Sequence, residues 1–76
     1  MNERDETLLH DMLDMALKAQ EFLGQQGQEA LMHNEMLAFA LVRAIEVIGE
    51  AASRITAETR SSLPQIPWKV IVGMRN

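Results

Sequence analysis

Apolar side chains recur at three- and four-residue spacing along two separate stretches of this 76-residue chain, a period that fits helices and not strands. The first stretch carries Leu8, Met12, Met15, Ala16, Ala19, Phe22 and Leu23, and predicts a helix from about Arg4 to Leu23. Asn2 or Asp5 is suited to cap its start, the acidic first turn suits the positive end of the helix dipole, and Gly24 reads as the glycine that ends it. The second stretch carries Leu37, Leu41, Ala44, Ile45, Ile48, Ala52 and Ile55, and predicts a longer helix from about Asn34 to Thr59. Met36, Ala40, Val47 and Ala51 widen its apolar face beyond what one neighbouring helix covers. Between the two, Gln25 to Asn34 is a polar connection in which Glu29 to His33 can form a short helix of its own. Pro64 and Pro67 break the pattern, and Pro67 suits the first turn of a third segment, about residues 67 to 76. The expected fold is all-α: an antiparallel helical hairpin plus a short C-terminal helical segment, one partial domain over residues 1 to 76.

A chain of this length builds at most a marginal core, which disulfides, a structural metal or self-association usually supplement. There are no cysteines, so disulfides and thiolate metal sites are excluded. Hydrophobic residues make up 47%, too many for a disordered chain, and six methionines outnumber the three aromatic residues. The net charge of −4 and scattered basic residues argue against bulk nucleic-acid binding but leave room for a local site. No apolar run reaches the roughly 18 residues of a membrane span. The charged start from Met1 to Glu6 lacks the apolar core of a signal peptide, so the expected compartment is the cytoplasm.

Arg43, Glu46, Glu50 and Arg54 follow one another at steps of three or four and share a face of the second helix. Glu50 and Arg54 form a favourable pair one turn apart, and Arg43 is within reach of Glu46. This is either a solvated face of intrahelical ion pairs or a face that positions a cationic group from elsewhere. Gly49 interrupts the helix interior next to Ala51 and Ala52, which points to close approach of another helix. His10 and Asp14 have helical metal-ligand spacing but no third ligand in any recognisable pattern, so no metal or cofactor is expected. Neither a nucleophile-elbow sequence nor a glycine-rich phosphate loop is present.

Two motifs stand in order in the second half of the chain. Arg43-Ala44-Ile45-Glu46-Val47-Ile48-Gly49-Glu50-Ala51-Ala52 is followed, after a turn, by Pro64-Gln65-Ile66-Pro67-Trp68-Lys69-Val70-Ile71-Val72-Gly73-Met74-Arg75-Asn76. This pair resembles the HepT-like branch of the HEPN superfamily, over roughly the last 40 residues. The resemblance implies a helical bundle that dimerises. It also implies a toxin of a toxin–antitoxin pair, partnered by a minimal nucleotidyltransferase and acting on RNA without a metal. The implied active-site signature is an Arg with a polar neighbour, followed four to six residues later by a His, often with a nearby Tyr. Arg75 matches the signature Arg and Asn76 its polar neighbour, while Glu46 and Glu50 match the acidic helix positions. Nothing matches the His or the Tyr, and neither His10 nor His33 replaces them by motif.

The chemistry of the signature is coherent. Cleavage of RNA needs a base for the 2′-hydroxyl, an acid for the leaving 5′-oxygen and a cation on the phosphorane. Histidine is poised for proton transfer near neutral pH, and arginine offers a fixed, always charged fork to phosphate oxygens. The expectation is therefore a C-terminally truncated HepT-like chain, inactive as a ribonuclease, whose incomplete HEPN-type bundle is completed by dimerisation or a higher oligomer. Leu41, Ile45 and Ile48 would otherwise face water. The competing expectation is a non-catalytic helical dimerisation or partner-binding module.

Overall fold

The structure, a computed structural model, describes residues 1–24 and 27–75. Its helices are α1 (Glu3–Leu23), α2 (Gly27–His33), α3 (Glu35–Arg54), α4 (Ala57–Ser62) and α5 (Trp68–Val72), and no strand occurs among the described residues. The fold is all-α, and its frame is an antiparallel hairpin of α1 and α3. Its caps follow from local chemistry. The Asn2 side chain accepts the Asp5 N–H at 2.7 Å and the Asn34 side chain accepts the Leu37 N–H at 3.0 Å, each satisfying a donor that the first turn leaves over. Gly24 ends α1 at φ +52°, in the left-handed region, with its N–H on the Gln20 carbonyl at 2.8 Å. The short helix expected near Glu29 to His33 is present as α2 and starts earlier, at Gly27. Gln25 and Gln26 of the polar connection lie outside the described residues.

Among the residues whose burial is described, the buried apolar ones are Leu37, Ala44, Ala51, Ala52 and Ile55, all on the second apolar stretch. Three of the five are alanines, so α1 and α3 approach closely while burying little apolar volume. The radius of gyration is 13.7 Å, above the about 11 Å expected of a compact 76-residue domain, and the long axis spans 42 Å against 19 and 18 Å across. The hairpin is a rod with much of its apolar surface on the outside.

The apolar spacing predicts one unbroken helix to Thr59, but α3 ends at Arg54 and Ile55 is extended. The cause lies 51 residues upstream. Asp5 is fully buried and accepts from Thr56 twice, from its N–H at 3.3 Å and its hydroxyl at 2.6 Å, and from the Thr59 hydroxyl at 2.5 Å. Thr56 then caps α4 by accepting the Thr59 N–H at 3.3 Å. Turning the Thr56 N–H toward Asp5 is incompatible with continuing the helix, and it frees carbonyls at the end of α3. Arg60 takes two of them, donating from Nη2 to Ala52 at 3.0 Å and Ser53 at 3.1 Å. Replacing Arg60 with methionine keeps the stem and removes both bonds. We expect a loss of about 1–2 kcal/mol in urea unfolding, with helix content unchanged by circular dichroism.

The third segment, expected over residues 67 to 76, is also shorter. α5 is regular only from Trp68 to Val72, with Pro67 just before its first residue. The Trp68 indole N–H donates to the Leu63 carbonyl at 3.0 Å and pins its start. After Gly73 the backbone tightens: Met74 N–H reaches Ile71 at 3.0 Å and Arg75 N–H reaches Val72 at 3.3 Å, three residues back instead of four. Asn76 lies outside the described residues.

Candidate functional site

The tightened turn after α5 sets Arg75 directly on α3. A Cβ built on Gly49 would lie 2.6 Å from the Arg75 backbone nitrogen and 2.9 Å from both its Cα and its Cβ. A glycine inside a helix costs about 1 kcal/mol relative to alanine, and here the contact explains it. The close approach expected at Gly49 is therefore made by Arg75, the residue that matches the signature, and not by the body of another helix. Arg75 is exposed. It starts from the strip of α3 that holds Gly49, with Glu46 one turn before and Glu50 next in sequence. Among the described residues its guanidinium forms no ion pair with either carboxylate.

The expected polar face divides in two. Arg43, Glu50 and Arg54 turn toward α1 and line a groove of about 290 Å³ with Asp11 and Asp14, over a floor of Leu8, Met15, Val47 and Ala51. Glu50 pairs with Arg54 at 3.4 Å, as its spacing predicts, and Asp14 pairs with Lys18 at 3.4 Å. Both pairs are exposed, and such pairs typically contribute 0–1 kcal/mol. Arg43 shares the groove with the carboxylates of α1, and no ion pair joins it to Glu46 among the described residues. Glu46 is outside the groove and half-buried, on the side of Gly49. Asp11 was not singled out in the sequence, and Asp14 only for its spacing from His10, so their place in this groove was not foreseen.

His10 and Asp14 line separate hollows, His10 beside Met1, Glu6, Leu9 and Leu13, and Asp14 in the groove. Among the described residues no three His, Asp or Glu side chains come together in a metal-binding arrangement. Among the described residues, Asp5 is a carboxyl held off its ordinary value. Hydrogen bonds from Thr56 and Thr59 hold it below the usual carboxylate range, against the opposing effect of burial. Its partners are all structural, so it belongs to the fold and not to the site. No helix among the described residues is long and apolar enough to cross a membrane.

Comparison with known proteins bears on the same residues. The family model described as ribonuclease HepT-like matches residues 12–76, which takes in α3, α5 and Arg75. Two proteins of Methanocaldococcus jannaschii, each named as a candidate RNase, are 38% and 35% identical to the chain over 77 residues. A protein of Thermococcus cleftensis named as a probable ribonuclease HepT is 29% identical over 76 residues. All three matches cover the whole chain, which spans 71%, 64% and 69% of those relatives' lengths. No solved structure matches it. With the family's two motifs packed against each other through Gly49 and Arg75, the chain belongs to the ribonuclease HepT-like family.

Proposed function

We propose that this chain supplies the phosphate-gripping part of an RNA-cleaving toxin. In this reading it works as a dimer in the cytoplasm, beside a minimal nucleotidyltransferase that acts as its antitoxin. The observation that carries the reading is Arg75, seated by its backbone on α3 with its side chain exposed. An arginine in that setting offers two parallel N–H donors to phosphate oxygens and stays charged at every working pH. The half-buried Glu46 nearby favours a cation at that spot. Dimerisation is supported by the exposed apolar side chains of α1 and α3.

Proton transfer needs a second group. None of the 76 residues matches the histidine that the family signature places after its arginine, so a polypeptide of these residues is expected to bind RNA without cutting it. Fluorescence anisotropy with a labelled single-stranded RNA tests this. We expect Arg75→Ala to weaken binding about tenfold across unrelated sequences, as for a lost phosphate contact. Unchanged affinity in that variant, or RNA cleavage that depends on Arg75, contradicts the assignment. The exposed apolar side chains on their own favour a second reading, a helical module that binds a partner protein and cuts nothing, and the same measurement separates the two.

A further inference from the structure

We infer that Gly49 is a positioning residue for Arg75: by carrying no side chain it lets the Arg75 backbone settle on α3, and so fixes where the guanidinium begins. This rests on the reading of Arg75 as the phosphate-binding group. Gly49 is buried, and the atoms that would meet a methyl group there are backbone N and Cα together with the Arg75 Cβ, all within 2.9 Å. A flexible side chain can swing aside from such a contact, but backbone cannot. The turn that carries Arg75 is in turn held by α5, whose first residue is tied through its indole to Leu63. A side chain at position 49 must therefore lift Arg75 from its seat.

Helix propensity gives the opposite expectation, because alanine in place of a helical glycine normally raises stability. The two accounts part over Gly49→Ala. The experiment uses ¹⁵N-labelled full chain as wild type, G49A, R75A and the double variant. It reads two things: the amide resonance of Arg75, and the affinity for a labelled single-stranded RNA as a function of salt.

We expect G49A to shift the Arg75 resonance while amides of the α1–α3 core, such as that of Ala44, keep theirs. We expect it to weaken RNA binding by about tenfold and to lower the slope of log K against log salt by about 0.7, the signature of one lost phosphate contact on a single strand. R75A should do the same, and the double variant should be no weaker than R75A. An unmoved Arg75 resonance, or a full further loss of affinity when G49A is added to R75A, overturns the inference. So does a G49A chain whose whole hairpin loses its helical signal, since that assigns Gly49 to the core. If R75A leaves RNA affinity unchanged, the phosphate reading of Arg75 falls, and the Arg75 resonance then decides the role of Gly49.

Discussion

Asp5→Ala should lower the melting temperature by roughly 10 °C or more, a large effect for a substitution in the first turn of a surface helix. The carboxylate is fully buried and accepts from Thr56 N–H, the Thr56 and Thr59 hydroxyls and the Asn2 amide. Alanine leaves these donors without their acceptor at the point where the end of α3, the start of α4 and the start of α1 meet. Asp5→Asn keeps the shape and one acceptor oxygen, so it should fall between wild type and alanine. The pH dependence has a definite sign. The folded carboxyl titrates lower than the ordinary value of about 3.9, because the threonine hydrogen bonds favour its charged form. Its contribution is complete above the unfolded value and is lost as pH falls through the folded one. The gap in melting temperature between wild type and D5N should be constant from pH 7 to about pH 5 and should narrow below about pH 4. Thermal melts of both proteins across that range test it. A gap that stays constant down to pH 3 assigns the stabilisation to packing and not to the charge.

At low micromolar concentration the chain should sediment as a dimer, and Leu13→Glu combined with Ile45→Glu should raise the dissociation constant by at least about 100-fold. Leu13 and Leu17 stand one turn apart on α1, 56% and 54% exposed, and Val42 and Ile45 share a face of α3, 54% and 40% exposed. Val70 of α5 adds a fifth large apolar side chain at 66%. Among the residues whose burial is described, two large apolar ones, Leu37 and Ile55, are buried in the single chain. Full burial of a Leu or Ile contributes about 1.5–3 kcal/mol, so covering these side chains offers stabilisation that the single chain leaves unused. A second copy is the partner we propose for that surface. Analytical ultracentrifugation of the wild-type chain is the direct measurement, and a monomeric mass at those concentrations removes the dimer from the proposed function.

The two long helices, the Asn2 cap offered beside Asp5 and the Gly24 terminus were legible because each depends on a local pattern of residues within a few turns of one another. The break at Ile55 was not. Ile48, Ala52 and Ile55 continue the helical period without a fault, and a threonine at position 56 stops a helix here only because a carboxylate from residue 5 captures its N–H. In the sequence, Asp5 looks like any acidic residue at a helix start, where the dipole alone would justify it. The sequence placed Arg43, Glu46, Glu50 and Arg54 on one polar face, and the structure separates Glu46 from the other three. Rotation along α3 sends Arg43, Glu50 and Arg54 toward α1 and leaves Glu46 toward Gly49, which depends on where α1 and α5 pack. Gly49 was recognised as a point of close approach. That Arg75 makes the approach required the turn after α5, which no local pattern specifies.

The bonds from Thr56 to Asp5 join residues 51 positions apart, so α1 and α3 are tied at the open end of the hairpin and should come apart as one cooperative unit. α5 is different. It has five residues and no buried side chain, too short to persist as a helix without its neighbours. In native-state hydrogen exchange its amides should open at a lower free energy than those around Ala44 and Ala52. The signature arginine thus rides on a part of the molecule that detaches more easily than the hairpin, and its seat on α3 can be vacated while the hairpin stays intact. Anything that binds α5 in its docked position, whether more chain, a second copy or another protein, raises the occupancy of that seat by mass action and needs no other change in the fold.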